Sequence, residues 1–353
     1  VAQSDGGDIL FVAGDEITKL DHEIEKYDEA TGELVAWVEV LSLSPSQDTD
    51  IYIIYGNADA VDQWNPTGAG VWEPGYVGVW HLHDDFNDST WEGNNGTNSG
   101  SADDTGTMAN GQYFDSVDDL YTGTNSTMAN ASAVTISAWV KPDAGQTDWG
   151  GILEYRDSAS GWETVLEVKS TRKFSFGTWS DASSWHNLES NAVLPTTGFS
   201  HIVGVYDGSD KITYLDGQLD NTYGSFTGNL RNNSRPFHIG RNAGDGVTFN
   251  GVIDEVRISK VARSPEWIAT EHNNLKTDST FYVIDDDWVG LCWDANYAYR
   301  KKVTITAGSA DIPADYSVSV TFDHAALVSA GKSLASGDDL RVVHWDGSSL
   351  SLI

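Results

Sequence analysis

The sequence predicts an all-β protein, a sandwich or jelly roll of antiparallel sheets, and three observations carry that prediction. Short runs of β-branched and aromatic residues alternate with polar ones at period two. Gly, Asn and Asp separate the runs, as tight turns require. Helical patterns are scarce. Many short strands at such spacing with few helices mark a sandwich or jelly roll.

In chain order the strands are ELVAWVEV (33–40), TDIYIIYG (49–56), VTISAWVK (134–141), HIVGVYDG (201–208), KITYLDGQ (211–218) and VTITAG (303–308). YDGSDKITYLDGQ reads as a hairpin: DGSD joins two alternating runs, and a second DG turn follows. YFDSVDDLY (113–121) sets three aspartates, Asp115, Asp118 and Asp119, among three aromatics in an acid-rich turn. One helix is well signalled, SPEWIATEHNNL (264–275), with Ser264 as N-cap, Pro265 in the first helical position and Glu266 in the first turn. DHAALVSAG (323–331) is a second, weaker helical pattern.

At 353 residues the chain exceeds the usual size of one domain, so more than one folding unit is expected. Its 53 acidic residues against 20 basic ones give a formal charge of −33. That balance argues against nucleic acid and against anionic membrane surfaces, which both demand clustered Lys and Arg. The acids are scattered among Gly, Asn, Ser and Thr, as on a well-solvated surface. A single cysteine, Cys292, excludes an internal disulfide framework and a thiolate metal cluster. No apolar run approaches the ~18 residues of a membrane helix. The chain opens without an initiator Met, as expected of a mature fragment or an excised piece, and five N-x-S/T acceptors occur at Asn87, Asn95, Asn125, Asn130 and Asn232.

The two ends resemble each other. SDGGDILFVAGDEITKL (4–20) and SGDDLRVVHWDGSSLSL (336–352) share a polar lead, an aspartate, an apolar strand, a D/G turn and a second strand. They read as equivalent segments of two related modules, each present as a half. Neither half can bury both its faces alone. The halves therefore pair within the chain, or each completes a neighbour head to tail.

VGVWHLHDDF (77–86), GNNGT (93–97), GQYFDSVDDLY (111–121), VTISAWVKP (134–142), FSHIVGVYDG (199–208), ITYLDGQLD (212–220), FHIGRN (237–242) and FNGVIDEVRISKVARSPEWI (249–268) together resemble the LamG-like jelly rolls of the concanavalin A-like lectin/glucanase superfamily. The flanking segments resemble an uncharacterised prokaryotic surface domain that often precedes such jelly rolls. The expected organisation is residues 1–62 as the C-terminal half of a flanking β-sandwich, a linker at 63–76, the jelly roll at 77–280, a linker at 281–296, and the N-terminal half of the next flanking module at 297–353. The resemblance implies that the family's FDG-x-DD pattern is a hairpin corner, with Asp115, Asp118 and Asp119 as turn and cap residues; Ser116 stands where the family usually has Gly.

A glucanase on this fold needs two carboxylates across one cleft, about 5 Å apart for retention. The E-x-D-x-E strand that would supply them is absent. Asp21, Glu23 and Glu25 have the right period but lie in the flanking half-module, where a solvated strand face is expected; Glu163 and Glu167 are the paired acids on a jelly-roll strand. There is no G-x-S-x-G, H-E-x-x-H or phosphate loop, so no enzyme is expected. The resemblance implies a structural Ca²⁺ tying the first jelly-roll strand to VIDEVRI, with Asp84, Asp85, Asn95 and Asp254 at the matching positions. For Asp254 the competing role is a buried acid satisfied by backbone amides or by Arg257. Glycan binding calls for exposed aromatics beside polar groups, and Trp149, Trp162, Trp179, Trp185 and His186 in the variable middle are the candidates. Trp80, Trp139 and Trp267 lie in apolar patterns and are expected in the core. The sequence thus reads as a non-catalytic, extracellular structural or adhesive repeat unit of a prokaryotic surface protein, joined head to tail to like modules. The alternative is a glycan-binding module of a polysaccharide-degrading system.

Overall fold

The computed structural model describes residues 3–15, 18–44, 46–55, 57, 59–64, 70–72, 75–115, 119–125, 127–156, 163–231, 233–243, 246–284, 300–306, 316–323, 344–345 and 350–351. The chain divides into two units, Pro74–His272 and a second made of Val1–Glu73 with Asn273–Ile353.

Pro74–His272 is a jelly roll of two antiparallel sheets. Among the described residues the eight-stranded sheet runs Gln218–Tyr223, Lys211–Leu215, Ser200–Tyr206, Val134–Pro142, Gly251–Ser259, Asn110–Phe114 and Ala102–Thr105, with Tyr76–Trp80 also paired to Gly251–Ser259. The other runs His186–Glu189, Phe174–Thr178, Thr164–Val168, Gly150–Tyr155, Phe237–Ile239, Asp119–Tyr121 and Thr97–Ser99, with the short strands Arg241–Asn242 and Val247–Thr248 beside Gly150–Tyr155. Period-two alternation sends one side of each strand inward. Leu166, Val168, Phe174, Phe176, Phe237 and Ile239 of the nine-stranded sheet share one core with Ile136, Ala138, Ile202, Tyr206, Ile253 and Ile258 of the other. Each such buried side chain contributes at most about 1.5–3 kcal/mol.

The expected hairpin is present: Ser200–Tyr206, Lys211–Leu215 and Gln218–Tyr223 pair in succession. Asp216 and Gly217 supply the positive φ values of 49° and 75° that its second two-residue turn needs. Asp115 does not close a hairpin. Asn110–Phe114 belongs to the eight-stranded sheet and Asp119–Tyr121 to the nine-stranded one, so the corner carries the chain from sheet to sheet. The helix runs Pro265–Leu275, and Ser264 caps it by accepting from the Trp267 N–H at 3.2 Å. Ile268 on this helix joins Val203, Val205 and Tyr214 in a second apolar cluster on the back of the eight-stranded sheet. Trp80, Trp139 and Trp267 are all buried, as expected.

The second unit is built from two larger antiparallel sheets and a two-stranded one, His344–Trp345 with Leu350–Ser351. Lys19–Leu20, Leu10–Ala13, Thr49–Ile54, Arg300–Ile305 and Tyr282–Ile284 form one, and Tyr316–Asp323, Glu33–Val40 and His22–Asp28 form the other. Tyr52 is paired with Lys302, and Val38 with Val318. The two half-modules therefore close on each other within one chain. This corrects the expectation of head-to-tail completion: residues 300–305 and 316–323 occupy the strand positions that a neighbour was expected to fill.

Two further expectations change here. Trp72, placed in a linker by its sequence position, is 2 % exposed and packs on Trp37 with ring centroids 5.1 Å apart. Glu23 and Glu25 do not form a solvated acidic face: Glu23 accepts the Trp72 indole N–H at 2.6 Å and Glu25 the Trp37 indole N–H at 2.8 Å. DHAALVSAG, apart from its first residue, lies outside the described residues, as does Cys292.

Candidate functional site

The nine-stranded sheet buries Phe174, Phe176, Leu166 and Val168, so alternation sends Val165, Glu167, Ser175, Gly177, Asn187 and Glu189 to its outer face. Register then sets them in rows. Val165, Gly177 and Asn187 are direct neighbours across three strands, and Glu167, Ser175 and Glu189 make the next row.

Gly177 is the centre of the arrangement. A side chain built there would meet the Trp185 ring at 2.5–2.7 Å and the Asn187 amide oxygen. Glycine at this position lets the indole of Trp185 lie close over the strand beside Asn187. The Asn187 amide donates to Glu167 at 3.3 Å. Among the described residues, Asn187 Oδ1 and the Ser175 hydroxyl, which is 1 % exposed, have no hydrogen-bond partner. An aromatic face thus adjoins a carboxylate, a hydroxyl and an amide.

Two flanking clusters extend this face. At one end the Arg231 guanidinium lies 3.5 Å from the centroid of Trp179. Glu163 accepts from the Asn233 amide at 2.6 Å and has the guanidinium groups of Arg231 and Arg235 3.7 and 3.6 Å away. At the other end Lys169 lies 4.5 Å over the Trp149 ring and bonds Glu189 at 2.7 Å. That contact, with Lys173 nearby, outweighs slight burial and holds the Glu189 carboxyl below its usual range; the Lys169 hydrogen bond is the largest cause.

Of the five aromatic candidates, Trp149, Trp179 and Trp185 therefore border this face. His186 does not. One residue on from Trp185, it takes the opposite phase, and its ring stacks on Tyr223 with centroids 3.7 Å apart. Burial, then the nearby Lys211 charge, lowers its pKa. Trp162 lies outside the described residues. Asn187 and Ser175 were not singled out from the sequence; strand alternation from Phe174 and Leu188 is the signal that finds them.

Residues 114–269 match the family model of the concanavalin A-like lectin/glucanase superfamily. Residues 5–96 match a domain of unknown function, DUF2341. Comparison with curated proteins gives no match. Among solved structures, domain 4 of AbnA, an extracellular GH43 arabinanase from Geobacillus stearothermophilus in complex with arabinotriose, is similar at 18 % identity and a TM-score of 0.46, over 56 % of this chain and 98 % of that one. The binding domain of Paraclostridial Mosquitocidal Protein 1 is similar at 12 % identity and 0.48, over 69 % and 68 %. The binding domain of botulinum neurotoxin DC in complex with rat synaptotagmin II is similar at 13 % identity and 0.42, over 57 % and 52 %.

In this jelly roll each of the four residues expected to hold calcium has protein contacts of its own. Asp84 has its side chain 71 % exposed and lies 3.3 Å from His83 Nδ1, while Asp85 accepts from the backbone and side chain of Asn87. Asn95 Oδ1 accepts from the Asp88 N–H at 3.0 Å. Asp254 is buried and accepts from the Thr107 N–H at 2.5 Å, the backbone-amide role weighed against metal binding. The residue that organises this loop is Asp88, whose carboxylate takes the N–H groups of Val79, Thr90 and Asn94 at 2.8–3.0 Å. Burial, the larger influence, still raises its pKa.

The paired acids do not match the E-x-D-x-E pattern. Glu163 and Glu167 have Val165 between them, where that pattern has its aspartate. Each is held by its own amide, Asn233 or Asn187. No helix among the described residues is long and apolar enough to cross a membrane.

Proposed function

We propose that this chain is a non-catalytic adhesive module of an extracellular prokaryotic surface protein, and that the outer face of its nine-stranded sheet holds a glycan. The observation that carries this reading is Trp185 lying over Gly177 beside Asn187, Glu167 and Ser175. A pyranose or furanose ring offers an apolar face and a rim of hydroxyls. It therefore favours a flat aromatic next to mixed donors and acceptors. The acidic, well-solvated composition suits an extracellular surface. This reading needs no neighbouring copy, because the chain's own strands close its second unit.

The test is retention of the purified chain on a panel of immobilised polysaccharides. Trp185→Ala is expected to weaken retention about 10- to 100-fold, the loss of one central aromatic contact. Gly177→Val, whose new side chain displaces Trp185 and Asn187, is expected to do the same with the fold intact. Wild-type chain retained by no glycan, or Trp185→Ala retained as well as wild type, overturns the reading.

A further inference from the structure

The segment bearing Trp185 is anchored from the opposite sheet. Thr178 and His186 form the last pair of the ladder between Phe174–Thr178 and His186–Glu189, and residues 179–185 connect them. Lys211 begins a strand of the eight-stranded sheet and is fully buried. Its ammonium donates to the carbonyl of His186 at 2.5 Å and to that of Thr178 at 3.2 Å. Nζ also lies 3.9 Å from the centroid of Phe226 and 5.9 Å from that of Phe176. Among the described residues no carboxylate pairs with it.

A lysine here is costly, since a buried cation without a counter-ion is disfavoured and an apolar residue would fill the space. Burial alone brings its pKa down to about 7. What the nitrogen provides is a clamp across two strands. It joins both carbonyls at the point where Gly177 and Trp179 leave one strand and Trp185 and Asn187 enter the other.

The loop has other tethers, and they act elsewhere. Ser180 and Ser183 donate to the Thr227 carbonyl, and the Asp181 N–H donates to Asn229. These hold residues 180–183. Residues 186 and 187 are also held by the His186 ring on Tyr223 and the Asn187 amide on Glu167, beside the ladder end that Lys211 clamps.

We propose that Lys211 is a positioning residue for the glycan face, fixing the strand ends from which Trp185 and Asn187 project. The proposal rests on the glycan-binding reading above, but its principal test does not. Hydrogen exchange is measured on the full chain as wild type, Lys211→Met and Lys211→Arg. Met keeps the length and removes the donors, while Arg keeps donors. In Lys211→Met the amides of residues 184–189 are expected to exchange about tenfold faster or more, as befits loss of a charge-assisted clamp. Those of 164–168 remain unchanged, and the melting temperature is no lower than wild type. Lys211→Arg is expected to recover at least part of the protection. Unchanged exchange at 184–189 in Lys211→Met, or equal acceleration in both variants, overturns the proposal. The retention assay separates the two readings. Wild type without any glycan removes the binding function and leaves exchange to decide Lys211. Loss of retention in Trp185→Ala but not in Lys211→Met removes Lys211 and leaves the binding function.

Discussion

A chain ended after Ile284 is expected to lose its second unit and keep its concanavalin A-like domain. The deletion removes Val303, Ile305, Val318 and Val320, each 0–2 % exposed. At ~1.5–3 kcal/mol for each fully buried side chain, the loss is about 6–12 kcal/mol, as large as the whole stability of an ordinary domain, ~5–15 kcal/mol. Backbone pairing falls with it. Glu33–Val40 loses the eight-residue ladder to Tyr316–Asp323, and Thr49–Ile54 loses its six-residue ladder to Arg300–Ile305. Two edges would open where the native chain has none. Limited proteolysis should cut the truncated chain throughout residues 3–64 and spare Val134–Pro142 and Gly251–Ser259. Persistent protection of Glu33–Val40 would show that the N-terminal half is self-sufficient and that the C-terminal strands only decorate it.

Which features were legible in the sequence follows from how local their causes are. Period-two strands, the Asp216–Gly217 turn and the Ser264 cap are set by neighbours within a few residues, and all are present. Trp72 was misplaced because its partners, Trp37 and Glu23, are 35 and 49 positions away. Closure of the half-modules pairs residue 52 with residue 302, a contact no local pattern contains. On the candidate site the outcome was mixed. Trp179 and Trp185 stood out as aromatics in a polar stretch, while His186, grouped with them by composition, has the phase of Leu188 two residues on and turns to the opposite side. The acids expected to hold calcium each meet a nearby amide or histidine whose reach depends on loop path, which no local pattern shows. Lys211 looked like one more polar residue in a hairpin, and only the opposing sheet reveals what it bonds.

Arg257→Met is expected to cost about 3–5 kcal/mol, the penalty for breaking a buried ion pair from one side. Arg257 is 3 % exposed and lies between two buried acids, 2.5 Å from Glu255 and 3.2 Å from Glu271. Glu255 also bonds His81 at 2.7 Å, and Glu271 accepts from the Ser137 hydroxyl at 2.8 Å and lies 3.7 Å from His201. Glu271 is on the helix, so this network pins Pro265–Leu275 to the back of the eight-stranded sheet. Burial pushes the Glu271 pKa up, yet Arg257, helped by His201 and Ser137, outweighs it and holds the carboxyl at about 2. A folded pKa below the unfolded ~4.3 means that this contribution is present above about pH 4.3 and is lost as pH falls toward 2. Denaturant titrations of wild type should therefore show stability dropping across that window. In Arg257→Met the drop attributable to Glu271 disappears, because its carboxyl no longer prefers the charged form. The double variant Arg257→Met with Glu271→Leu should recover part of the loss at pH 7, since it removes one of the two carboxylates that Arg257→Met strands and leaves only Glu255, which keeps His81. If the double variant is no more stable than Arg257→Met alone, the cost lies in packing around the guanidinium and not in the stranded carboxylate.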